Sequence, residues 1–70
     1  MTDTLTEITH PNRPVEVKLD DAAEWVRGTE ITVEHWERPR GPYEPTRFTR
    51  HFVLIGGFEY SLGPDAIRAV

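Results

Sequence analysis

The polarity of the chain alternates with a period of two in several places. In "VEVKL" (15–19), Val15, Val17 and Leu19 face one way and Glu16 and Lys18 the other, the pattern of a half-buried strand. "TEITVEHW" (29–36) repeats it, with Ile31, Val33 and His35 on one face and Thr32, Glu34 and Trp36 on the other. "RFTRHFVLI" (47–55) reads as a third strand and "FEYSL" (58–62) as a fourth, joined by Gly56-Gly57, a two-residue turn of the kind that takes positive φ. Between the first two strands, "DDAAEWVRG" (20–28) carries helix punctuation. Asp20 or Asp21 suits the cap, Glu24 stands in the capping-box position after Asp21, and Gly28 suits C′. Ala22 and Ala23 are poor strand residues, so a short helix is preferred here to a strand "EWV" turning at "RGTE". After Gly63, Pro64 fits the first position of a helical turn in "PDAIRAV". Residues 1–13 are polar, and Pro11 and Pro14 exclude a helix there, so a flexible N-terminal tail is expected.

The Gly-Gly turn implies a register in which Ile55 pairs with Phe58, Val53 with Tyr60 and His51 with Leu62. A second hairpin centred on Tyr43 sets Ile31 opposite Ile55, Val33 opposite Val53 and His35 opposite His51. Both hairpins then place their apolar residues on one face. A slip of one residue destroys that agreement, whereas a slip of two preserves it. The third strand also places Phe48, Phe52 and Leu54 on the opposite face, so it belongs mid-sheet. The cover for that face is sought in Trp25 and Val26, in Ile67 and Val70, or in another chain. The expectation is an α+β domain over 14–70: a small antiparallel β-sheet of about four strands, one short helix after strand 1 and a C-terminal helical turn. A small SH3-like β-barrel is the alternative.

Length sharpens this picture. Seventy residues make one small domain, in which burial is nearly cancelled by roughly 1.5 kcal/mol of ordering entropy per residue. With no cysteine, disulfides and thiolate metal sites are excluded. A homo-oligomer, or a partner that completes the fold, is therefore a reasonable expectation. The N-terminus lacks a basic and apolar signal pattern, and no apolar run approaches the ~20 residues that span a bilayer. A cytoplasmic location without membrane contact is expected.

The net charge of −4 is unevenly spread. Residues 35–51, "HWERPRGPYEPTRFTRH", hold four arginines against Glu37 and Glu44, a balance of +2, which leaves −6 elsewhere. Within this segment Trp36 and Arg50 are placed for cation–π contact, Arg38, Arg40 and Arg47 project from the strand ends, and Tyr43 sits at the tip of a proline-stiffened loop over 37–47. Arginine beside exposed aromatics suits a protein interface and also phosphate contact with base stacking. The plainer alternative pairs these arginines with Glu34, Glu37 and Glu44 on an ordinary surface. The candidate partner-binding residues are Trp36, Arg38, Arg40, Tyr43, Arg47 and Arg50.

Other chemistry is thin. His35 and His51, if cross-strand neighbours, bring two imidazoles together, but no third ligand stands out, so no metal and no cofactor are expected. The one serine, Ser61, has no nucleophile elbow around it, and no phosphate-binding glycine loop occurs. An enzyme is not expected. The leading functional expectation is a small interaction module that binds and modulates a protein partner, of the kind found among phage or mobile-element accessory proteins. Nucleic-acid binding through the 35–51 hairpin is second, and a structural subunit of an oligomeric assembly is third.

Overall fold

In the computed structural model, which describes residues 2–19 and 24–70, nearly every element is a strand. They are β1 (Thr4–Thr9), β2 (Arg13–Val17), β3 (Val26–Arg40), β4 (Tyr43–Ile55), β5 (Phe58–Leu62) and β6 (Ile67–Ala69), with one 3-10 turn at Pro64–Ala66. All belong to one antiparallel sheet with strand order β5-β4-β3-β2-β6, and β1 also pairs with β3. The α+β expectation is therefore wrong, in the number of strands as well as in class.

The helix expected over 20–28 is not formed among the described residues. Asp20–Ala23 lie outside the described residues, but Val26, Arg27 and Gly28 are strand, opposite Val17, Glu16 and Val15. Local capping chemistry lost to long-range pairing, because β2 needs a ladder partner. Gly28 also has a different role from a helix C′. A Cβ there would stand 2.8 Å from Val53 Cγ1, 2.9 Å from Ile55 Cγ1 and 3.0 Å from the Leu54 carbonyl oxygen. Glycine is needed for the close approach of β3 to the core. The C-terminal segment departs from expectation for the same reason: helical geometry stops at Ala66, and Ile67, Arg68 and Ala69 pair with Val17, Glu16 and Val15. Thr4–Thr9, in the stretch expected as a tail, lies along β3 with all six residues exposed.

The β4–β5 register follows the Gly-Gly turn as anticipated, with Ile55 opposite Phe58, Val53 opposite Tyr60 and His51 opposite Leu62. Gly56 and Gly57 have φ of 56° and 84°, which glycine adopts without a Cβ penalty. The β3–β4 hairpin is slipped by two residues from the expected pairing: Val33 faces His51, His35 faces Thr49 and Trp36 faces Phe48. The causes are one extra β4 residue between Tyr43 and Thr46, which reduces a three-residue shift to two, and the turn. The turn is Gly41-Pro42, closed by the Arg40–Tyr43 pair and with Gly41 at φ 63°, so the strands run on through the stretch expected as a 37–47 loop. Parity survives a two-residue slip, so Val33 still shares a face with Val53.

That face holds the core. Val15, Val17 and Val53 are fully or almost fully buried, with Leu19, Ile55, Leu62 and Ile67 packed against them. These residues come from β2, β4, β5, β6 and the segment after β2, so the sheet curls around them. It nevertheless stays open, since β5 and β6 do not pair with each other. Phe58, expected in the core, is 70% exposed at the sheet's end.

Candidate functional site

The upper half of the β3–β4 hairpin rises beyond the core and carries most of the candidate residues. Directly opposed residues of an antiparallel pair project to the same face. Trp36 and Phe48 are such a pair, and their rings stack with centroids 6.4 Å apart and 11° between planes. Arg50 Cζ lies 5.7 Å from the Trp36 centroid and Arg38 Cζ 5.2 Å from that of Phe48. The result is an alternating row, Arg50–Trp36–Phe48–Arg38, with a cation at each end of an aromatic pair. The expected Trp36–Arg50 contact is thus present, although it is diagonal; Arg50 is directly opposite Glu34. Trp36 is further fixed by donating from Nε1 to Glu34 Oε1 at 3.0 Å.

β1 completes this face. Leu5 opposes Trp36 and Ile8 opposes Glu34, so both apolar side chains extend the aromatic row. Arg38 donates from Nε and an Nη to the two carboxylate oxygens of Asp3, at 3.1 and 3.2 Å. That bond lowers the Asp3 pKa below the usual aspartate range and raises that of Arg38. The charge balance changes as well: Asp3, just before β1, neutralises Arg38, while Glu7 of β1 opposes His35 on the face behind the row.

The remaining candidates lie elsewhere. Arg47 projects from the opposite face and donates from Nε to Glu37 Oε1 at 3.1 Å. Arg40 and Tyr43 flank the turn, with Arg40 Cζ 6.0 Å from the ring of Tyr43, which is 71% exposed. The six candidates are therefore split three ways: a row on one face, a tip, and a single arginine behind.

The face behind the row is concave. A cavity of about 440 Å³ is lined chiefly by Thr6, Glu7, His35, Glu37, Arg47 and Thr49, with Pro64 and parts of Trp36 and Phe48. Linked to the cavity through Thr49 is a polar group that the sequence pattern concealed. Glu30 is completely buried; its Oε1 accepts from Arg13 Nε at 2.9 Å, and its Oε2 lies 2.8 Å from His51 Nδ1. His51 Nε2 is in turn 2.9 Å from Thr49 Oγ1. Strict alternation sets Glu30 on the face opposite Val33. The ladder, however, pairs Glu30 with Val53 and Thr32 with Phe52, leaving Ile31 as an extra bulge residue that turns Glu30 inward. The expected His35–His51 pair does not exist, because the slipped register opposes His35 to Thr49. Among the described residues no three His, Cys, Asp or Glu side chains are grouped to hold a metal ion.

The fold and face together define a small antiparallel one-sheet protein with a protruding arginine–aromatic hairpin. Compared with protein-family models, curated proteins and solved structures, the chain matches none. Among the described residues no helix is long and apolar enough to cross a membrane.

Proposed function

We propose that the chain is a small interaction module that binds a protein partner through the β3–β4 hairpin. The observation that supports this most is the Arg50–Trp36–Phe48–Arg38 row, whose rings and guanidinium groups are held in place by cross-strand pairing before any partner arrives. Tryptophan and arginine are the residue types that most often anchor protein interfaces, and pre-set side chains lose little entropy on binding. Arg50 makes no ion pair among the described residues and is free to accept one. Nucleic acid is the weaker reading, because Asp3 already pairs with Arg38 at one end of the row and Glu37 with Arg47 behind it.

The test is affinity capture from cell lysate with mass spectrometry, comparing the native chain with Arg50→Ala and Tyr43→Ala. Both side chains are exposed, so the melting temperature should stay unchanged while a specific partner is lost. Partner capture unaffected by both variants defeats the proposal. A mobility shift of duplex or single-stranded DNA that weakens with salt would favour the nucleic-acid reading instead.

A further inference from the structure

Backbone alternation along β4 identifies an unfilled strand position. The two-residue turn at Gly56-Gly57 is closed by the Ile55–Phe58 pair, which in such a hairpin exchanges both backbone hydrogen bonds. Every second residue of β4 then points its N–H and C=O toward β5: Ile55, Val53 and His51. β5 ends at Leu62, opposite His51, and the chain leaves the ladder at Gly63 for the 3-10 turn. β4 continues to Tyr43 with no strand beside it. By the same alternation, Thr49 and Arg47 aim their N–H and C=O groups into that open position, up to the irregularity between Tyr43 and Thr46. The other edge of β3 agrees, because the His35 carbonyl points away from β4 and accepts from Thr6 Oγ1 at 3.1 Å.

We infer that this edge receives an extended acidic peptide of the partner, which adds as a strand antiparallel to β4 beyond the end of β5. The inference rests on the hairpin-binding reading and names its partner class. The cation at the open edge selects the occupant, since Glu37 on that face is already bonded to Arg47 and Glu7 stands on β1, across β3 and beside His35. Arg47 bonds Glu37 through Nε, its terminal nitrogens are left for another carboxylate, and its side chain is 79% exposed. Arg50 has no ion pair among the described residues. A peptide residue opposite Phe48 projects onto the aromatic row, and the next residue, opposite Arg47, projects to the concave face. An antiparallel peptide therefore presents an aromatic residue followed directly by an acidic one. The irregularity between Tyr43 and Thr46 ends the regular edge and limits the added strand to a few residues.

The probes are two capped heptapeptides of identical composition, one with a central Phe-Glu and one with Glu-Phe. The Phe-Glu peptide should bind about fivefold more tightly, the upper end of what an exposed ion pair provides. In two-dimensional NMR the Arg47 and Thr49 amides should exchange more slowly in its presence. A chain made by chemical synthesis and N-methylated at Arg47 keeps its side chains and its internal hydrogen bonds, and should lose about tenfold in affinity. Binding that leaves both amides unprotected and is indifferent to the N-methyl group overturns strand addition, while the side-chain face remains open to the capture test. Failure of both peptides to bind at about 1 mM overturns it too. Loss of partner capture in Arg50→Ala, with normal amide exchange and no peptide binding, would leave the hairpin reading standing alone.

Discussion

Glu30 is a carboxylate without solvent exposure, and among the described residues the buried apolar ones are Val15, Val17, Val33 and Val53. Its position depends on satisfying both oxygens, one by Arg13 from β2 and the other by His51 from β4. Glu30→Ala removes the acceptor for both and leaves a void at the core edge. Urea unfolding should show a loss of about 3 kcal/mol, in the range for breaking a buried pair. Asp3 is the contrasting case at the surface. Its carboxylate is stabilised by the Arg38 hydrogen bond, so its folded pKa lies below the unfolded one. The tie between β1 and β3 is accordingly present above the usual aspartate pKa and lost as pH falls through the lowered value. An NMR titration should place the Asp3 midpoint below that of the Arg38→Ala variant; equal midpoints would remove this tie.

At the scale of elements, β3 is governed by two irregularities, Gly28 and the bulge at Ile31. Gly28→Ala puts a methyl group less than 3.0 Å from Val53 and Ile55 side-chain atoms, with the Leu54 carbonyl at 3.0 Å, and backbone cannot yield cheaply. A cost of about 1–3 kcal/mol is expected from overpacking, checked by the shift in urea midpoint at constant slope. β1 behaves oppositely. It buries no residue and only borders the ladder, so a chain lacking residues 2–9 should keep the circular-dichroism spectrum of the sheet and lose only a modest part of its melting temperature. Cooperative unfolding of that chain at room temperature would show β1 to be essential. Much at this scale was legible in the sequence. The Gly-Gly turn and two-residue alternation located β2, β4 and β5, because register and facing are local consequences of side-chain period. The helix over 20–28 was misread because capping residues also suit the end of a connection, and nothing local announces that Val26–Gly28 must pair with β2.

The whole molecule has a Cα radius of gyration of 13.7 Å, above the roughly 11 Å of a compact chain this long, because the hairpin extends past the core. Its principal extents are 42, 25 and 19 Å. Stability is consequently uneven. Amides paired between β3 and β4 near Trp36 and Phe48 should exchange through local opening, whereas those near Val53 and Val17 require global unfolding. Hydrogen exchange with a single uniform free energy for both regions would contradict this division. Such a hairpin, ordered by cross-strand contacts and not by burial, is suited to presenting a surface to another molecule.

By itself the sequence determined the alternating strands, the turn at Gly56-Gly57, the common facing of Val33 and Val53, and the Trp36–Arg50 contact. Each follows from residue period or turn stereochemistry within a short stretch. Only the tertiary structure decided that Val26–Gly28 and Ile67–Ala69 are strands, that Thr4–Thr9 lies against β3, and that Asp3 offsets the arginine cluster. Only it turned Glu30 inward, through one extra residue at Ile31. These depend on which distant segments meet, and a shift of one residue in a ladder reverses the face of every side chain beyond it.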